Sequence, residues 1–241
     1  MQMVIFYNNV KLLVNGKNYK TIFQISNMLG KSIPHFCYNK KLAIAGNCRI
    51  CLVEVKGLPK PLASCATPIS ENIHIFTKTP LVLKSRENIM EFLLINHPLD
   101  CPVCDQGGEC DLQDLSLTQG KDITRFYLSK RAVPDKTLNL LIKTKMTRCI
   151  HCTKCIRLSF FVGVNTLGII YRGENSQIYN YNFVKNKNYL SANIIDICPV
   201  CKKPNNKNDP TEQLIRGITI VLRKLLHELK KWWRNRNRKD K

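Results

Sequence analysis

The 241-residue chain has no run of about 18 uncharged apolar residues, the length that spans a bilayer, so no transmembrane helix is expected. Its opening residues, MQMVIFYNNV, lack the basic start and apolar middle of a secretory signal. The chain is therefore expected to meet reducing conditions, in which disulfides do not persist. Acidic residues are scarce: 17 Asp and Glu against 38 Lys and Arg leave a formal charge of +21. Such an excess suggests an acidic partner or an anionic surface. A dinucleotide fingerprint is missing, because Gly107-Gly108 lacks the strand-glycine-helix context that cradles a pyrophosphate. No side chains stand in a nucleophile-base arrangement. These absences predict a chain without a substrate site of its own and leave its chemistry to the cysteines.

Eleven of the twelve cysteines, with one histidine, fall into three sets of four. The first, Cys37, Cys48, Cys51 and Cys65, has one close pair and two outliers. That pattern suits four thiolates reaching two irons from one loop, with Gly46 allowing the backbone to approach. The spacing is longer than in plant-type ferredoxins, and a zinc site stays open, because C-x2-C is also a zinc signal. The third set is a C-x2-C-x2-C triplet, Cys149, Cys152 and Cys155, followed after 42 intervening residues by Cys198-Pro199. Three thiolates at intervals of three fit three corners of a cubane, and with a single triplet Cys198 should close the same site. The second set is His97, Cys101, Cys104 and Cys110. A lone histidine before proline reads as structural, but its place four residues before Cys101 makes it a ligand candidate. An imidazole in place of a thiolate removes one negative charge, which by itself raises a cluster's potential.

The expected architecture is α+β. A ferredoxin-like (β-grasp) domain is expected over residues 1–80, small and mostly helical domains over 81–140 and 141–204, and a linker, helix and tail over 205–241. Asn15-Gly16, between stretches at 10–14 and 17–20, predicts a tight hairpin. Ile22, Ile25, Met28 and Leu29 predict a helix over 21–29, and 51–55 and 73–76 read as strands. Ser85 can cap a helix whose face carries Ile89, Phe92 and Leu93 and which stops at His97-Pro98. Residues 101–120 read as turn-rich, with Gly107-Gly108 where the backbone folds tightly, and 125–146 as a connector. Beyond 205, Leu214, Ile218, Val221, Leu222, Leu225, Leu229 and Trp232 share one helical face against a basic one. That helix reads as a docking or packing helix, with an anionic membrane surface as the alternative.

Four stretches closely resemble a known family: AGNCRICLVEV (45–55), EFLLINHPLDCPVCDQGGECDLQD (91–114), TRCIHCTKCIRL (147–158) and NIIDICPV (193–200). They look like the amino-terminal iron-sulfur region of the large iron-sulfur subunit of respiratory complex I, NADH:ubiquinone oxidoreductase. They run in order over residues 1 to about 200 with every ligand spacing intact. The resemblance implies one [2Fe-2S] cluster on the first set and two [4Fe-4S] clusters on the second and third. It implies a relay of single electrons from the flavin-bearing NADH-oxidising subunit toward the iron-sulfur subunits of the quinone arm. It implies membrane association only through the complex, in the peripheral arm on the matrix side of the mitochondrial inner membrane. Lysine (26) and asparagine (23) are frequent enough to suit an A+T-rich genome, so a mitochondrially encoded chain is expected.

Two departures stand out. Cys201 occupies a position where the family carries glycine, and it reads as an idle thiol rather than a spare ligand. The family's long molybdopterin-enzyme-like domain does not follow, so a separate chain carrying it is a candidate partner. The diaphorase iron-sulfur subunit of NAD-reducing hydrogenases shares the three-cluster plan and stands as an alternative. A zinc-dependent nucleic-acid binder is a distant one, because aromatic residues do not interleave with a basic patch, and no nucleic acid is expected.

Overall fold

A computed structural model describes residues 2–15, 19–108, 110–127, 129–138, 142–163, 167–181, 193–200 and 202–204. The chain divides into a unit Met1–Lys203 and a unit Pro204–Lys241. The amphipathic helix expected beyond 205 lies outside the described residues, as does Cys201.

The chain opens with a hairpin, but not where Asn15-Gly16 predicts it. Strand β1 (Gln2–Tyr7) pairs antiparallel with β2 (Val10–Asn15), and Tyr7 faces Val10 across the two-residue turn Asn8-Asn9. Both turn residues have positive φ, 49° and 69°, the geometry of a tight turn matching the strands' twist. Asn15 instead ends β2 opposite Gln2. Apolar residues on both sides of Asn8-Asn9 give two pairing strands, whereas Tyr19 and Lys20 are not in a strand.

Helix α1 (Ile22–Met28) forms where its apolar spacing predicts, and the Gln24 side chain accepts hydrogen bonds from the N–H groups of Lys20 (2.7 Å) and Thr21 (3.3 Å) at its start. Its Ile22, Phe23 and Ile25 are fully buried against Ile5, Tyr7, Val14, Val53 and Ile75. Each such side chain is worth about 1.5–3 kcal/mol when withdrawn from water. Strands β3 (Leu52–Val55), β4 (Leu62–Ala63) and β5 (His74–Phe76) complete a five-stranded sheet of order β2-β1-β5-β3-β4. The β1–β5 pair is parallel and the other pairs are antiparallel, so the sheet is mixed, as a ferredoxin-like domain requires.

Helix α2 (Pro80–Leu94) starts five residues before Ser85. Thr79 is the N-cap, its hydroxyl accepting from the Val82 N–H at 3.3 Å, and Pro80 supplies a first-turn residue with no N–H to satisfy. Ser85 lies inside the helix and donates back to the Leu81 carbonyl at 2.7 Å. Replacing Thr79 with alanine should lower stability by about 1 kcal/mol, measurable as an earlier unfolding midpoint in urea. The buried face is Val82, Arg86 and Met90, with Ile89 and Leu93 packed beside it, whereas Phe92 is 71% exposed.

A second helix, α3 (Asp111–Gln119), occupies the stretch that reads as turn-rich. It buries only Leu112 and carries Asp111 and Asp114 in its first turn, where the helix dipole favours negative charge. Two short strands, β6 (Lys136–Thr137) and β7 (Ile142–Thr144), pair antiparallel in the expected connector. The segment 141–204 is less helical than expected. Besides α4 (Lys154–Phe161) and α5 (Asn193–Ile197) it holds the hairpin of β8 (Leu167–Ile170) and β9 (Gln177–Asn180), and then β10 (Lys202–Pro204). Its LGII and QIYN stretches turn Leu167 and Ile178 into a core with Met146, Cys155 and Ile156.

Candidate metal centres

The first set sits in loops at one edge of the five-stranded sheet, and all four of its cysteines are buried. Gly46 (φ +63°) and Arg49 (φ +59°) turn the chain through left-handed geometry on either side of Cys48. The thiols pair two and two, Cys37 with Cys48 at 3.3 Å and Cys51 with Cys65 at 3.4 Å. Hydrogen bonds from Cys48, and next from Cys65, hold the Cys37 thiol down to about 2, and the Cys65 thiol holds Cys51 down to about 6. Sharing a proton with Cys37 pushes Cys48 and Cys65 far up, and burial adds to both. The four thiols thus share protons through mutual hydrogen bonds, and a metal centre bound by all four would expel them. From α2, the buried Arg86 donates to the Leu52 carbonyl through Nε (3.2 Å) and Nη2 (2.8 Å), fixing the strand that leaves Cys51.

The second set follows α2. Lys130 caps that helix by donating to the carbonyls of Leu94 (2.8 Å) and Ile95 (3.0 Å), just ahead of His97. The His97 Nδ1 atom is buried and has no hydrogen-bond partner. Burial lowers the imidazole's pKa, so the ring is neutral and its nitrogen is available as a donor. Cys101 opens a single turn of 3-10 helix (Cys101–Val103) and is exposed, Cys104 is half-buried, and Cys110 is buried at the start of α3. Gly107 has to be glycine here: a Cβ would stand 2.7 Å from the Cys101 carbonyl oxygen and 3.1 Å from that of Cys104.

The third set wraps a cavity lined by Cys149, Cys152, Cys155 and Cys198 with Met146, Ile150, Ile178, Pro199 and Val200. His151 (φ +53°) and Thr153 (φ +59°) are left-handed, alternating with the cysteines and turning backbone N–H groups around the loop. The His151 N–H donates to the Cys149 sulfur at 3.4 Å, and burial pushes the Cys152 thiol up to about 11.

Among the described residues, no three His, Cys, Asp or Glu side chains are placed to hold a single metal ion. The soft thiolate donors, the cavity inside the third set and the buried His97 Nδ1 fit the donor chemistry of iron-sulfur clusters.

Side chains that spacing does not reveal join the three sets. Cys37 and Cys48, Cys110, and Cys152 share one core with Phe36, Ile50, Met90, Leu112, Ile150 and Val200. The Cys110 thiol donates to the Pro199 carbonyl at 3.9 Å, linking the second set to the third. Asp100, beside Cys101, accepts from Nε of Arg148, beside Cys149, at 2.9 Å. Burial opposes ionisation of Asp100, but the Arg148 guanidinium outweighs it and holds the carboxyl below its usual range. Arg148 is 1% exposed, so Asp100→Ala would take a charged partner from a buried guanidinium and should lower the urea midpoint.

Three family models match the chain in order. A 2Fe-2S iron-sulfur cluster binding domain matches residues 7–80, the NADH-ubiquinone oxidoreductase-G iron-sulfur binding region matches 86–125, and the ferredoxin-like domain of NADH-quinone oxidoreductase subunit 3 matches 139–202. Residues 7–202 belong to the iron-sulfur region of the complex I large-subunit family. The NADH-ubiquinone oxidoreductase 75 kDa subunit of Reclinomonas americana is 55% identical over 190 residues, 78% of this chain and 28% of that protein. The 75 kDa subunit of NADH-ubiquinone oxidoreductase from Dictyostelium discoideum is 54% identical over 199 residues, 80% of this chain and 29% of that protein. The mitochondrial iron-sulfur protein 1 of NADH dehydrogenase [ubiquinone] from Solanum tuberosum is 55% identical over 197 residues, 79% of this chain and 27% of that protein. The chain thus spans under a third of the length of these complex I relatives. Its fold resembles a chain in the crystal structure of an NAD+-reducing [NiFe]-hydrogenase, with a TM-score of 0.71, 24% identity, and coverage of 86% of this chain and 90% of that one. The chain therefore carries both 2Fe-2S and 4Fe-4S binding domains of the complex I family. Among the described residues no helix is long and apolar enough to cross a membrane.

Proposed function

We propose that the chain is the electron-transfer part of an NADH–quinone oxidoreductase, holding one [2Fe-2S] cluster and two [4Fe-4S] clusters. Cys37, Cys48, Cys51 and Cys65 hold the binuclear cluster; His97, Cys101, Cys104 and Cys110 hold one tetranuclear cluster; Cys149, Cys152, Cys155 and Cys198 hold the other. When bound, such clusters accept and donate single electrons over a wide range of potential set by their surroundings. Residues 1–80, 81–140 and 141–204 serve as one binding domain each, a division supported by the spans of the three matching family models.

The observation that carries the reading is the common core in which cysteines of all three sets meet. Electron tunnelling decays steeply with separation, so binding sites that share a packing core suit a relay. The chain's own residues do three things there. They bind through thiolates and one imidazole, they exclude water through Phe36, Ile50, Met90 and Ile150, and they fix the loops through Asp100–Arg148 and Arg86.

The partners are a flavin-bearing subunit that delivers electrons from NADH and iron-sulfur subunits that pass them toward quinone. The site of action is the peripheral arm on the matrix side of the mitochondrial inner membrane. The hydrogenase chain of similar fold keeps a second reading in view, as the diaphorase iron-sulfur subunit of an NAD-reducing hydrogenase. Isolating the native assembly through a tag on this chain separates the two. Co-isolation of a flavoprotein with quinone-reducing subunits is expected, and hydrogenase subunits in their place would overturn the assignment.

A further inference from the structure

Arg157, on α4, reaches across the junction of two ligand sets. Its Nη2 donates to the Cys37 carbonyl at 2.5 Å and to the Cys152 carbonyl at 3.1 Å. Its Nη1 donates to the Ala43 carbonyl at 2.5 Å, and its Nε to the Thr153 hydroxyl at 3.2 Å. Cys37 and Ala43 belong to the first ligand loop, and Cys152 and Thr153 to the third, so one guanidinium holds both. The same two loops are pinned again by Asn47, beside Cys48, whose Nδ2 donates to the His151 carbonyl at 2.8 Å.

We propose that Arg157 is a positioning residue that fixes the first ligand set against the third and so sets the separation an electron crosses between the clusters they hold. The proposal rests on the cluster reading above. Three of its bonds go to backbone carbonyls, so the side chain acts on the main chain that carries the sulfurs and does not compete for the thiolates. A planar fork with donors in fixed directions can span these acceptors at once, whereas a lysine ammonium brings the charge without the span. Placement and charge are therefore separable by substitution.

The test uses the full chain loaded with clusters, comparing the native protein with Arg157→Lys and Arg157→Gln. Three quantities are read: iron per chain, the dipolar splitting between the reduced binuclear cluster and its tetranuclear neighbour by pulsed EPR, and the binuclear midpoint potential. Iron is expected to stay at about ten per chain in Arg157→Lys. The resolved splitting is expected to be lost in both variants, because the loops are no longer held at one distance. The reduced-to-oxidised ratio of the binuclear cluster at the native midpoint should fall about tenfold in Arg157→Gln, where a nearby positive charge is gone, and hold in Arg157→Lys. If the Gln variant does not load, the Lys variant alone decides. An unchanged splitting in Arg157→Lys would overturn the proposal, and so would loss of iron from that variant, which would make Arg157 a folding anchor. A native chain that takes up no iron or sulfide would sink the cluster reading itself, before any substitution is compared.

Discussion

Cys152→Ser is expected to remove about four of about ten irons per chain, with a matching loss of acid-labile sulfide. Cys152 is 7% exposed, lines the cavity of the third set and packs in the core shared with Cys37, Cys48 and Cys110. Burial holds its thiol up to about 11, so without metal the side chain is neutral, and a serine hydroxyl of similar size replaces it without stranding a charge. The fold should therefore survive while the third cluster is lost, and far-ultraviolet circular dichroism will show whether it does. An iron count equal to that of the unsubstituted chain would show that Cys152 is not a ligand.

His97→Ala should likewise remove about four irons, whereas His97→Cys should keep them and lower the potential of the second set's cluster by roughly 100 mV or more. The Nδ1 of His97 is buried and has no hydrogen-bond partner. Leaving a buried polar atom unsatisfied costs about 1–3 kcal/mol, a penalty that ligation would remove. The ring is neutral because burial lowers its pKa, so it adds no charge where a thiolate would add one negative charge. A fourth thiolate stabilises the oxidised cluster relative to the reduced one, which fixes the sign of the shift. Redox titration followed by EPR reads it, and an equal or higher potential in His97→Cys would contradict the role assigned to His97.

The cysteine sets proposed as ligands stand out in the sequence because close thiols a few residues apart form a local pattern, whatever the fold does with them. The α1 helix and strands β3 and β5 were legible for the same reason, each announced by its own periodicity. The errors arose where two local signals competed. Asn15-Gly16 is a good hairpin turn, but Asn8-Asn9 lay between two strands able to pair. Ser85 is a good cap, but Thr79-Pro80 offered a cap and a first-turn proline together. Helix α3 was hidden because it buries one leucine and otherwise reads as a polar loop. Arg157 was invisible for a different reason: its partner Cys37 lies 120 residues away, and no spacing pattern records a contact at that range. The left-handed turns at His151 and Thr153 were equally hidden, because neither residue type requires that geometry.

Binding of three iron-sulfur clusters by eleven cysteines and His97 is tested by EPR of the anaerobically prepared chain during stepwise reduction, with iron and sulfide counted on the same sample. Three distinct signals, one binuclear and two tetranuclear, with about ten irons and ten sulfides per chain, are expected. A count near two or six would remove one or both tetranuclear sites, and a colourless chain containing zinc and no acid-labile sulfide would contradict the claim outright.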